Sequence, residues 1–141
     1  MRIMFDTNIF LDVLLEREPF VEDSCKVLSL CEDHKIDGFV SASSITDIYY
    51  LVKKYTHDTD IAYQAIGKIL EIVKVGDVTN DDVLTAFQHK AKDFEDCLLA
   101  TCAKTAGCKY IITRNKKDFL DFIPEALTPE DFLQMYGSKK K

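Results

Sequence analysis

Proline and glycine are scarce in this chain, with three prolines and five glycines in 141 residues. That scarcity leaves no material for a linker, and no internal repeat or low-complexity tract is present. With 47% apolar residues the chain has enough for one compact core but not for two. No apolar stretch reaches the roughly 18 uncharged residues of a membrane span. The N-terminus runs into a strand pattern instead of a basic and then apolar secretion signal. A soluble cytoplasmic protein with no membrane partner is expected. The five cysteines are odd in number, form no Cys-x-x-Cys pair and have no histidine at zinc-finger spacing, which argues against a disulfide framework or a structural zinc site. They read as small apolar core residues in a reducing compartment. His34, His57 and His89 lie far apart in polar surroundings and are expected on the surface. Positive charge is also in deficit: 18 Lys and Arg against 24 Asp and Glu give a net charge of -6. Charge alone therefore does not bind a phosphate backbone. An acidic pocket holding a divalent cation has a different local field, so a nucleic-acid enzyme stays open.

What the sequence does contain is a strand that ends on a carboxylate. Arg2–Phe5 reads as a buried strand followed by Asp6-Thr7-Asn8 and a short helix from about Ile9 to Leu15. Open parallel sheets place ligands at the C-terminal ends of their strands. Further strands are expected at 39–42, 74–76, 110–113 and 126–127, each separated by helical spacing. Ser44-x-x-Asp47 and Thr79-x-x-Asp82 have the form of capping boxes. Thr128-Pro129 reads as a cap and a first-position proline for a last helix. Alternating strands and helices imply right-handed crossovers and an α/β fold with a mainly parallel sheet covered on both faces. One domain is expected over 1–136, with a flexible basic tail over 137–141.

Three more segments carry acids that such a fold can bring to Asp6: Ser44-Ile45-Thr46-Asp47, Asp93-Phe94-Glu95-Asp96 and Thr113-Arg114-Asn115-Lys116-Lys117-Asp118-Phe119. In this order, over nearly the whole chain, they resemble the motifs of the PIN-domain ribonucleases. The ending Thr128-Pro129-Glu130-Asp131-Phe132 is similar to the subgroup that includes the VapC-like toxins of toxin-antitoxin systems. The resemblance implies a three-layer α/β/α sandwich, an acidic pocket at the strand ends and one or two Mg²⁺ or Mn²⁺ ions. It also implies hydrolysis of RNA phosphodiester bonds by activated water, and an antitoxin protein as partner. Position by position, Asp6 matches the first metal ligand, Asp47 the second acid and Asp96 the third. Asn115 falls where many members carry a fourth aspartate, and Asp47 where glutamate is more frequent.

The residues support these roles without the family. Mg²⁺ takes oxygen ligands, keeps several waters and needs few carboxylates. A set of three in Asp6, Asp47 and Asp96 meets that need, and Asn115 keeps a carbonyl oxygen for a metal or its water. Thr7, Asn8, Ser43, Thr113, Asp93 and Asp118 are placed to orient the carboxylates, while Arg114, Lys116 and Lys117 stand where they can hold RNA. Plainer readings stay open: Asp47 and Asp93 as helix caps, Glu95 as a solvated first-turn charge, Asn8 as the cap of the first helix, Asp118 as a turn residue, the basic segment as a solvated turn. The alternative function is a PIN-like module that binds RNA or a protein without cleaving. A dehalogenase-like phosphatase would want an aspartate where Asn8 stands, and a receiver domain needs a late lysine-proline pair that is absent. The helices between Phe20 and Val73 carry Phe20, Tyr49, Tyr50, Tyr55, Tyr63, Ile66 and Leu70, an apolar and aromatic excess that fits a homodimer face.

Overall fold

The computed structural model describes residues 1–139; of Lys139 only the backbone is described. Five strands run in one sheet: β1 (Arg2–Phe5), β2 (Asp37–Ser41), β3 (Lys74–Gly76), β4 (Tyr110–Ile112) and β5 (Glu125–Leu127). The helices are α1 (Thr7–Leu14), α2 (Val21–Glu32), α3 (Ala42–Thr56), α4 (Thr59–Ile72), α5 (Asn80–His89), α6 (Phe94–Thr105) and α7 (Pro129–Lys139), with a short 3-10 turn at Lys116–Phe119. The strand order is β3-β2-β1-β4-β5 and every pairing is parallel. The α/β sandwich expected from the sequence is therefore present. The chain winds outward from β1 to β3 on one side, then crosses to β4 on the other. That reversal opens a crevice beside the C-terminal end of β1, the place where such sheets bind ligands.

Successive strand residues face opposite layers, as the pleat requires. Ile3, Phe5, Val40 and Ile112 pack under α1, α2, α3, α4 and α7, while Met4, Phe39 and Ile111 pack under α6 and the 3-10 turn. Gly38 is required by this packing. A Cβ there would lie 2.6 Å from Cys31 Sγ, 2.8 Å from Val73 Cγ1 and 2.9 Å from the Phe5 ring. All five cysteines are free, four of them buried and Cys25 half-buried, and the three histidines are exposed.

Several local expectations change. The cap of α3 is Ser41, whose Oγ accepts the Ser44 amide at 3.3 Å, so Ser44 and Asp47 do not form the expected box. Thr79 and Asp82 do form theirs. In α5 the apolar residues Val83, Leu84 and Phe87 point outward, and the buried positions are Asp82 and Ala86. The tail expected over 137–141 is helical as far as Lys139, and residues 140 and 141 lie outside the described residues. Among the described residues no helix is long and apolar enough to cross a membrane.

Candidate active site

Asp6 leaves β1 on a backbone bond to β4, its N–H donating to Ile112 O at 2.9 Å. Its side chain then caps α1: Oδ1 accepts the Thr7 amide at 2.8 Å. The cap of the first helix is thus Asp6 and not Asn8. The other oxygen, Oδ2, accepts the Thr113 hydroxyl at 2.8 Å and Asn8 Nδ2 at 3.3 Å. Thr113 is fully buried at the end of β4 and its Oγ1 also accepts the Asn115 amide at 3.1 Å. One threonine therefore ties the catalytic candidate on β1 to the loop after β4.

Opposite Asp6 stands the start of α6. Asp93 caps this helix by accepting the Asp96 amide at 3.0 Å, and Glu95 and Asp96 turn toward Asp6. A tight hollow of about 10 Å³ lies between Asp6, Thr7, Glu95, Asp96 and the serines 41, 43 and 44 at the start of α3. That is room for an ion or a water, not for a base. Burial pushes the Asp6 carboxyl above its usual value; the Thr113 and Thr7 hydrogen bonds and the Arg114 guanidinium pull it down, and Asp118 pushes it up again. Asp96 is pushed up to about 7, first by burial and then by Asp93, Asp6, Asp118 and Glu95. Glu95 is raised by partial desolvation, by the neighbouring Asp47 and Asp93, and by Asp6.

These shifts locate the expected residues. Asp6, Asp96 and Asp118 feel one another, Asp47 reaches the group through Glu95, and Ser43 lines the hollow. Asn115 contributes its amide to Thr113 and leaves its side chain exposed. Two of the three basic residues expected at RNA, Arg114 and Lys116, pair within the chain. Arg114 Nε lies 2.7 Å from Oδ2 of Asp12, a fully buried residue of α1, without the alignment of a directed hydrogen bond. Its guanidinium stacks 4.2 Å from the centroid of the Phe20 ring. Lys116 pairs with Asp131 at 2.6 Å, and Lys117 is exposed.

Two residues escaped the sequence reading. Glu95 is exposed, as a solvated first-turn charge is, and the docking of α6 also sets it at the hollow beside Asp6. Asp12 had a signal: it is a lone acid inside Ile9-Phe10-Leu11-Asp12-Val13-Leu14-Leu15, and a carboxylate on a buried stripe needs a cation.

The acids' shared elevation has a sign. Between the usual aspartate value and about 7 the folded protein holds a proton on Asp96 that the unfolded chain has released. Stability therefore falls as pH rises through that window, and the penalty is absent below it. In chelator, the melting temperature is expected to drop from pH 5 to pH 8, and Asp96→Asn to flatten the drop. Equal slopes in the two proteins would mean the carboxylates do not repel.

An acidic cluster on a parallel sheet, at the point where its winding reverses, defines an α/β domain with a ligand site at its strand ends. The chain belongs to the PIN domain family, whose model matches residues 2–117. It is 27% identical over 140 residues to "Ribonuclease VapC1" of Aquifex aeolicus (strain VF5), covering 97% of this chain and 96% of that protein. The fold is shared with a toxin-antitoxin complex from Klebsiella pneumoniae at TM-score 0.66 and 23% identity, over 90% of this chain and 97% of that one. It is also shared with VapBC2 from Rickettsia felis bound to a DNA fragment from its promoter, at TM-score 0.70 and 17% identity, over 91% and 98%.

Proposed function

We propose that this chain is a metal-dependent endoribonuclease of the cytoplasm, the toxin of a toxin-antitoxin pair, which hydrolyses phosphodiester bonds in RNA. The observation that carries the reading is the gathering of Asp6, Glu95 and Asp96 around one tight hollow, where burial raises all three carboxyls and Asp6 raises both Glu95 and Asp96 further. Like charges held together are costly in the absence of a cation. The ribonuclease named among the relatives supports the substrate, and the toxin-antitoxin complex among the structural neighbours supports an antitoxin partner.

The donors fit Mg²⁺ or Mn²⁺ in kind, being oxygens throughout. As the side chains stand, no three acids, cysteines or histidines among the described residues are arranged to hold an ion. Mg²⁺ needs only one or two carboxylates besides water and substrate phosphate, so Asp6 and Asp96 suffice as holders, with Glu95, Asp47 and Asp118 around them. A divalent ion supplies water activation and charge neutralisation at the phosphate. The chain's own part is to keep Asp6 anionic and aimed. Thr7 and Thr113 donate to its two oxygens, and Asp12 holds the Arg114 loop that carries Thr113. Asp118 takes the fourth acidic position in this reading, because it acts on both Asp6 and Asp96 where Asn115 gives only its amide. Calorimetric titration with Mn²⁺ is expected to show binding that Asp6→Asn and Asp96→Asn each weaken at least about tenfold. Equal affinity in all three proteins would remove the site.

The protein is also proposed to be a homodimer. Tyr50, Tyr55, Tyr63 and Leu70 are 64, 68, 66 and 52% exposed on α3 and α4, beside the half-buried Tyr49, which meets Tyr50 and Tyr63 edge-on. Aromatic surface of this kind favours association. Light scattering at micromolar concentration should give twice the chain mass, and a monomeric mass would contradict this.

A further inference from the structure

The hollow over Asp6 has no room for a base, and a phosphodiester is one link of a chain, so the flanking nucleotides need space of their own. Asp96 is the wall between that tight hollow and an open one of about 550 Å³, a volume in the range of small-ligand sites. The open hollow is lined by His89 and Lys92, at and after the end of α5, by Asp93 beside Asp96, and by Asp118, Asp121 and Phe122 in and just beyond the 3-10 turn. Four carboxylates face it, so a phosphate there needs Lys92 together with the divalent ion.

Phe122 has a fixed footing. Its ring meets Phe119 edge-on, with centroids 6.3 Å apart and planes at 73°, and Phe119 is 2% exposed. The backbone is fixed too, Phe122 N–H donating to Phe119 O at 3.1 Å. A half-buried ring pinned on the core and lining an open hollow is a surface on which an unpaired base stacks. Lys92 lines the same hollow and is exposed. Arg114 and Lys116 already pair with Asp12 and Asp131 and the exposed Lys117 does not line this hollow, so Lys92 is the lysine placed there to meet a phosphate.

We propose that the hollow between Lys92 and Phe122 binds the nucleotide next to the scissile phosphate of a single-stranded RNA, its base stacked on Phe122 and its phosphate on Lys92. The proposal rests on the nuclease reading for what lies at Asp96, but binding can be measured without cleavage.

The test uses the full chain carrying Asp6→Asn, in Mg²⁺, with fluorescein-labelled mixed-sequence RNA octamers in which one base at a time is replaced by an abasic site. Removing the base at one position should weaken binding about tenfold or more. In Phe122→Leu, which keeps apolar filling against Phe119, that position should cost little, and Phe122→Tyr should restore the cost. Lys92→Gln, at an exposed position where misfolding is no concern, should reduce the slope of log affinity against log salt by about 0.7. Equal abasic costs in Phe122 and Phe122→Leu, an unchanged salt slope, or no binding of any octamer would overturn the proposal. Coupling between Phe122 and the base, found in a protein whose wild type cleaves no RNA, would support the subsite and sink the nuclease reading.

Discussion

Replacing Asp6 by asparagine should lower RNA cleavage by roughly a thousandfold or more, about 4 kcal/mol of barrier, and leave the fold in place. The separation follows from the two duties of this carboxylate. As the cap of α1 it accepts the Thr7 amide, and asparagine caps a helix as well as aspartate does. As a member of the acidic cluster it provides the anion that Thr113 holds in position, and the amide has no charge to give. The amide also presents an NH₂ group, so either the Thr113 or the Thr7 bond is weakened, at about 1 kcal/mol. Relief of repulsion with Asp96, Glu95 and Asp118 offsets this. Melting curves in chelator should show Asp6→Asn as stable as wild type or more so. A large loss of stability would make Asp6 a structural residue whose effect on activity is indirect.

The second large effect is on stability. Asp12 is fully buried, and burial raises its carboxyl above the usual value while Arg114 and Arg17 draw it down. Arg114 lies at 2.7 Å and Arg17 at 3.9 Å. Asp12→Ala removes the counter-charge of a guanidinium whose side chain is 24% exposed, and breaking such a pair from one side costs about 3–5 kcal/mol. The combined change Asp12→Leu with Arg114→Met removes both charges and should recover most of that loss, since apolar replacements of buried pairs are often neutral. Urea unfolding of the two variants measures this. A loss under about 1 kcal/mol in Asp12→Ala would show that water reaches Arg114 freely. Activity should fall with stability in the single variant, because Arg114 adjoins Thr113 and so sets the hydroxyl that Asp6 accepts.

The succession of strands and helices is legible in the sequence because each apolar run has a length and period of its own and ends at a cap, a proline or a turn. Helix starts are less so where several residues can cap. Ser41-Ala42-Ser43-Ser44 offers three hydroxyls, and the choice of Ser41 is made by the pairing of β2 with β3, which carries the strand to Ser41 opposite Gly76. The outward face of α5 was not legible either. Val83, Leu84 and Phe87 are exposed, and the side of α5 that meets α6 is set by Asp82, which accepts the Thr105 hydroxyl at 2.7 Å. Asp6 and Asp96 could be read because strand and helix ends fix their direction. Glu95 and Arg114 could not, since one is oriented by the docking of α6 and the other by a buried partner more than a hundred residues away.

Cleavage of RNA by this acidic site with a divalent ion is measured directly by comparing cleavage products. Wild type and Asp6→Asn, purified identically, should be incubated with pooled cellular RNA with Mn²⁺ and with chelator. Discrete fragments are expected from wild type with Mn²⁺ alone. The same fragments from Asp6→Asn, or no cleavage by either protein, would contradict it.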